Sequence, residues 1–206
     1  MPSYPLTFPS VGIVRSSFRL VRVVSETESI FTGAQQVYQH QGEWWEGEVT
    51  FRTARRAQIA PVQAFLAQLR GKVGTFLYGD PDALALGRMG AGGTILVNGA
   101  GQTGNTLNVD GMTNSTTILK AGDYFQLGSG SSSTLHLVVT DLVSNGSGAG
   151  TITFEPKIKI SPADNAAVVS TSPKGVFRLS ENTIEWDANQ ANLYSITIPF
   201  KEAISI

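Results

Sequence analysis

The sequence predicts a mainly β protein: a β-sandwich-like host domain with one short α-helix, interrupted by a small Gly-rich β-barrel. Three observations lead there. Most apolar runs alternate with polar residues at a period of two, the pattern of half-buried strands. Only one stretch, 57–69, shifts to a period of three and four. Of the 22 glycines, 14 fall between Leu84 and Ile160, where charge also thins out, so the middle of the chain differs in texture from both ends. The host therefore comprises residues 1–83 plus 160–206, and the insert residues 84–159.

The first fifteen residues combine Pro2, Pro5 and Pro9 with Phe8, Val11, Ile13 and Val14. Proline lacks an N–H and fixes φ, so this segment reads as an extended arm or an edge strand. A strand follows, with Phe18, Leu20 and Val24 on one face, interrupted by Arg22, and Arg19, Val21 and Val23 on the other. The run 44–53 alternates more cleanly. Trp45, Val49 and Phe51 point one way with Gly47 between them, and Trp44, Glu46, Glu48, Thr50 and Arg52 point the other.

Ile59, Val62, Phe65, Leu66 and Leu69 then form one stripe of an amphipathic helix. Pro61 fits only a first turn, so the helix is expected to start near Ile59 or Ala60, and Gly71 to stop it. A strand at 73–78 closes on Gly79-Asp80-Pro81-Asp82. The Gly-rich stretch reads as short strands at 94–97, 106–109, 123–127, 135–143 and 151–158, with Asn98-Gly99 and Asp110-Gly111 as turn pairs that tolerate positive φ. Several short strands at close spacing predict a small barrel. Beyond it lie strand candidates at 166–170, 176–179 and 184–186. A long last strand at 194–201 follows, in which Pro199 implies an edge position or an outward-facing missing donor.

The 206 residues allow one large domain or two small ones, and 41 % hydrophobic residues suffice for a core. A charged fraction of 15 % and a net charge of -1 leave no basic field for a nucleic-acid backbone, so specific nucleic-acid binding is not expected. With no cysteine there are no disulfides, thiol nucleophiles or Cys-ligated zinc. No segment approaches the roughly 18 apolar residues of a membrane span, and residues 1–6 do not resemble a signal peptide. Synthesis in the bacterial cytoplasm without membrane insertion is the expectation.

Few constellations point to chemistry. His40 and His136 are far apart and sit in strands, where solvation or hydrogen bonding is the common role. Asp80 and Asp82 flank Pro81 as turn formers, and Asp110, Asp123 and Asp141 lack the spacing of a calcium loop. Gly90-Ala91-Gly92-Gly93 and Gly99-Ala100-Gly101 lack the Lys-Ser/Thr ending and the following helix of a phosphate loop. Trp44 and Trp45 face opposite ways, one toward the core and one toward the surface, where an exposed Trp stacks on a sugar or anchors a protein interface; Trp44 is a candidate for the interface role. The loops 128–133 and 145–150 read as exposed connectors. No catalytic residue, cofactor site or metal site is expected.

Several phrases resemble bacteriophage tail proteins. They are Glu43-Trp44-Trp45-Glu46-Gly47-Glu48-Val49 followed by Arg55-Arg56 and the helix, and Gly74-Thr75-Phe76-Leu77-Tyr78-Gly79-Asp80-Pro81. In the insert they are Val97-Asn98-Gly99-Ala100-Gly101-Gln102-Thr103-Gly104, Leu119-Lys120-Ala121-Gly122-Asp123-Tyr124-Phe125-Gln126-Leu127-Gly128, Ser144-Asn145-Gly146-Ser147-Gly148 and Ile152-Thr153-Phe154-Glu155-Pro156. The chain is similar, over 19–200, to the distal tail protein of siphophages, a tail-tip or baseplate component. The resemblance implies a non-enzymatic structural protein of the virion, located at the distal end of the tail. Its host domain would form a homo-oligomeric ring, a hexamer in that family, between the tail tube protein and the tail hub protein, with DNA passing through the open channel. Its insert would be an OB-like barrel. Candidate interface residues are Trp44, Arg19 and Tyr194, and the Pro-rich arm and the last strand are candidate open edges. The alternatives are a carbohydrate-binding module acting through the insert, or another tail part such as a tail terminator or tube protein. An aromatic platform among Tyr124, Phe125 and Phe154 would favour the carbohydrate reading.

Overall fold

The computed structural model describes residues 3–84, 93–189 and 192–204. In chain order the elements are β1 (Leu6–Thr7), β2 (Ile13–Glu28), β3 (Gln35–Phe51), β4 (Ala54–Arg55), α1 (Arg56–Leu69) and β5 (Phe76–Tyr78). They continue with β6 (Gly93–Val97), β7 (Gly104–Met112), β8 (Thr117–Leu119), β9 (Tyr124–Leu127), β10 (Thr134–Val138), β11 (Leu142–Val143) and β12 (Gly150–Ile158). The chain closes with β13 (Gly175–Leu179), β14 (Asp187–Ala188), β15 (Leu193–Ser195) and β16 (Thr197–Glu202). The fold is mainly β with a single α-helix among the described residues.

The first sheet has the order β1-β5-β13-β16-β3-β2 and draws its strands from both ends of the chain. Its inner face is aromatic. The ring of Phe8, just after edge strand β1, lies 4.5 to 5.7 Å from the rings of Phe51, Phe65, Phe76 and Tyr78. Gly47 stands in register directly between Phe18 and Phe200, whose rings meet edge to face 5.3 Å apart. A Cβ at Gly47 would lie 2.0 Å from the Ser17 carbonyl oxygen and 2.6 Å from the Phe200 ring. Only glycine lets the two rings converge over that strand.

Helix α1 covers this face with Ile59, Val62, Phe65, Leu66 and Leu69, all buried. It begins at Arg56 rather than at Ile59 or Ala60, so Pro61 lies in the second turn. Pro61 is solvent-exposed, and the donor it lacks is the one that would have served the Ala57 carbonyl. The helix ends one residue earlier than Gly71 suggested: Arg70 itself adopts a left-handed φ of 54° and Gly71 follows at 69°.

The second sheet has the order β6-β7-β12-β10-β9. Its two outer strands are bridged by one segment. The Val97 amide donates to the Ala166 carbonyl and that of Val168 to Ile95, both at 2.9 Å, while Gln126 and Val169 exchange bonds of 2.7 and 3.0 Å. Residues 166–169 thus tie β6 to β9 and close the sheet round. Their place by sequence was with the host, yet Val168 is buried in the core of the second sheet. That core is largely aliphatic, built on Val97, Leu107, Val109, Leu127 and Ile152, with Phe125 and Phe154 crossing edge to face at 5.1 Å.

Several local expectations change. Asn98-Gly99 opens a longer loop, in which the Gln102 amide group bonds to backbone at Asn98, Gly99 and Asn108 and replaces a two-residue turn. Asp110-Gly111 lies inside β7, where Gly111 (φ 76°) accommodates a register shift against β6. The run 135–143 splits into β10 and β11, and 184–186 forms no strand. The last strand divides into β15 and β16, and β16 is interior, between β13 and β3. Pro199 is tolerated there because its carbonyl accepts from Ser180 just past the end of β13, so the absent donor falls where that ladder is finishing. Asp80 and Asp82 do form a turn, the Asp82 amide donating to the Asp80 carboxylate at 3.0 Å. The segment Gly90-Ala91-Gly92 lies outside the described residues.

Candidate assembly surface

Strands β2 and β3 form one hairpin paired from Ile13↔Phe51 out to Glu28↔Gln35. β16 flanks β3 only from Glu46 to Thr50. Near that end the hairpin rests on the aromatic core. Beyond it, from about Val23 to Gln41, the two strands have only each other. This outer half is an arm reaching about 25 Å past its last support. All its residues but the half-buried Ser29 are exposed, including Val23, Val24, Val37 and Tyr38. The turn is ordered by the Ser29 amide donating to the Ala34 carbonyl, by the Gly33 amide donating to the Ser29 carbonyl, and by Gly33 in the left-handed region. At its tip Ile30 and Phe31 are 90 and 91 % exposed. On one face of the arm Val24, Glu26 and Glu28 lie opposite Gln39, Val37 and Gln35. The outer edge of β2 pairs with no other strand among the described residues.

Two of the three candidate interface residues meet at the root of this arm. The Trp44 indole N–H donates to the Glu46 carboxylate at 2.8 Å, and Arg19 donates to the same group at 3.1 Å. Lys201 completes the cluster, its ammonium 4.1 Å from the centre of the Trp44 ring and 3.8 Å from Glu46. The Trp44 hydrogen bond, followed by the two cations, holds the Glu46 carboxyl below its usual range against the opposing effect of burial. Trp44 is half-buried under Lys201, and Trp45 is buried in the core. Tyr194 is elsewhere, on β15 opposite Ala54 of β4, half-buried against the first core. The last strand, interior as described, offers no open edge. Among the described residues the open edges of the first sheet are β1 and β2.

Sequence reasoning missed a seam of charge between the two sheets. Glu43 and Glu202 are both buried. Glu202 accepts the Trp45 amide at 2.9 Å and pairs with Lys159. Glu43 accepts the Lys157 amide and lies 3.8 Å from Arg22, which also reaches Glu155 at 3.3 Å. Desolvation pulls the Lys159 ammonium pKa down, partly offset by Glu202. Glu43 has the parity of Trp45, so the alternation held the clue, but no local pattern announces a buried carboxylate. The arm was missed as well. Its signal was a polar run, 25–36, holding only Ile30, Phe31 and Ala34 as apolar residues around Gly33.

The two histidines stand in contrasting surroundings, one exposed and one buried. His40 lies on the arm, 2.8 Å from the Ser25 hydroxyl. His136 is fully buried between Phe125 and Phe154. Its Nδ1 donates to the Pro156 carbonyl at 2.7 Å, which leaves Nε2 to accept the Thr134 hydroxyl at 2.8 Å. Burial pushes its pKa down to about 3, so the ring is neutral at physiological pH. Among the described residues no three His, Asp or Glu side chains are grouped to hold a metal, and no helix is long and apolar enough to cross a membrane. Phe125 and Phe154 are fully buried, and Tyr124 packs its ring against Phe18 and Trp45, so these three aromatics provide no platform. The chain matches no protein-family model and no curated protein sequence.

Proposed function

We propose that this chain is a structural, non-enzymatic component of a bacteriophage tail. In this reading it assembles with copies of itself into a ring at the distal end of the tail, joining tail tube to hub. One observation carries the assembly part: a long hairpin arm that leaves its own core and presents two large apolar side chains, Ile30 and Phe31, to solvent. Burying each against a partner is worth roughly 1.5 to 3 kcal/mol. A monomer gains nothing from exposing them on an extended ribbon with an unpaired edge. The phage assignment draws on the phrase resemblance given above.

The test is assembly of the purified protein. Wild type should form closed rings by negative-stain electron microscopy, with a matching mass by light scattering. Replacing residues 24–39 by an Asn-Gly turn should leave a folded monomer. A wild type that stays monomeric at high concentration would sink the ring reading. Gold-labelled antibody should mark the far end of the tail on intact particles.

A second reading, glycan recognition by the barrel, is favoured by one feature. A shallow concavity of about 320 Å³ is lined by Asn98, Asn108, Asn145 and Thr151, with no charged side chain among its lining residues. Binding of this protein to a neutral oligosaccharide on a glycan array, lost in Asn108→Ala, would establish it.

A further inference from the structure

We infer that the exposed ridge of Arg52, Arg55 and Arg56 receives the arm of a second copy of this chain, so that copies join head to tail. This rests on the ring reading above and adds to it the surface that accepts the arm.

The argument begins with charge. Arg52 follows β3, Arg55 ends β4 and Arg56 begins α1, all three exposed. The first turn of α1 contains no acidic residue, and no side chain caps it. Cations at a helix N-terminus oppose the helix dipole, so the ridge is electrostatically unfavourable in the isolated chain. The other exposed arginines of the first sheet have acids: Arg15 pairs with Glu48 and Arg19 with Glu46. Among the described residues no ion pair is found for Arg52, Arg55 or Arg56. The arm is the complement. From 23 to 42 it carries Glu26 and Glu28 and no lysine or arginine. Both glutamates lie on the face that also bears Val24 and Val37.

Geometry makes the match intermolecular. β3 runs 17 residues from the arm to Phe51, immediately before the ridge. That places acidic arm and basic ridge roughly 50 Å apart at opposite ends of one hairpin. A chain cannot fold its own arm back onto its own ridge. A neighbour can supply it, and a contact between two different patches is heterologous, the type that closes into rings. An apolar companion is present on the acceptor. Val14, the residue bulged out of the β2–β3 register beside Phe51, is 69 % exposed. It sits next to Gly12, whose carbonyl binds the Arg52 amide. Asp187, on β14 two strands from Arg55, is the nearby acid that weakens the patch.

Two charge-reversed variants test this, both altered only at exposed positions: Glu26→Lys with Glu28→Lys, and Arg52→Glu with Arg55→Glu and Arg56→Glu. Thermal melts of the arm variant should match wild type, and those of the ridge variant should be at or above it, because acids at the start of α1 favour the helix dipole. In sedimentation velocity at low salt, each alone should assemble at least about tenfold more weakly. Mixed one to one they should assemble again, because the reversed arm of one fits the reversed ridge of the other and the native pair remains intact. A mixture that stays unassembled, or variants that assemble like wild type, would overturn the assignment. If the arm deletion abolishes rings and ridge reversal does not, the ring survives and the ridge is wrong. If wild type never assembles, both readings fall. If ridge reversal removes binding to duplex DNA and leaves assembly unchanged, the ridge serves a polyanion and the inference fails.

Discussion

The two halves of the β2–β3 hairpin share the same two strands, with a register shift between Arg22 and Val24 where they meet, yet they live under different physics. At the root, Phe18, Trp45, Val49 and Phe51 are packed among the rings of Tyr78, Phe177 and Phe200. There the ladder is secured by burial. On the arm, Val24, Val37, Ile30 and Phe31 face water, and cross-strand pairs with one turn are all that hold the ribbon. An isolated two-stranded ribbon is marginal in water. In the proposed assembly, a chain that extends one anyway, with Ile30 and Phe31 at the tip, finds that segment's stabilising contacts on a neighbouring copy.

Substitutions can break or sharpen that contrast. The largest effect is expected at the root. Phe200→Ala should cost about 3 to 5 kcal/mol in urea unfolding, because it empties the centre of the aromatic core. Gly47→Ala should cost about 3 kcal/mol, its Cβ colliding with the Ser17 carbonyl and the Phe200 ring. A root that tolerated both would mean that pairing, and not packing, secures it.

The barrel offers a pH-dependent effect of its own, carried by a buried histidine. His136 is neutral when folded, with its pKa near 3, and reverts toward 6.5 when unfolded. The unfolded chain then binds the extra proton below pH 6.5, so stability falls as pH drops through the window between the two values. From pH 6.5 to 5, above most carboxylate titration, the loss should be about 2 kcal/mol. His136→Gln should flatten that slope, measured by urea unfolding at the two pH values. An unchanged slope would exclude His136 as its origin.

The smallest effects belong to the arm. Gly33→Ala meets no neighbouring atom, so only its positive φ should matter, at about 1 kcal/mol of monomer stability. Ile30→Ser with Phe31→Ser should change monomer stability by less than about 0.5 kcal/mol while abolishing assembly. A large loss of monomer stability would show that the tip packs on its own chain.

Some of this was legible in the residues. The period of 57–69 named every buried residue of α1, and the parity of 44–53 separated Trp45 from Trp44 correctly. The placement of Arg19 and Trp44 on one outer face follows from their strand parities. What escaped had no local signature. Glu43 shares the parity of core residues, but whether a carboxylate there is buried depends on Arg22 and the Lys157 amide, which arrive from two other strands. Asp110-Gly111 reads as a turn in any short window and becomes a bulge only because β6 continues past it.

By itself, then, the sequence determined the things that one strand or one helix can encode: the mainly β class, the position of the helix, and which side of a strand turns inward. These depend on side-chain period and on φ preferences, which are properties of neighbours along the chain. Only the tertiary structure decided which strand ends lack a neighbour. It placed β16 inside the sheet despite Pro199, drew residues 166–169 across to close the barrel, and left the outer half of the hairpin with nothing beneath it. The physical reason is that exposure of a strand is fixed by what packs against it from distant parts of the chain. The polar run at 25–36 hints at exposure, but nothing in the stretch from Val23 to Gln41 encodes that β16 stops at Glu202.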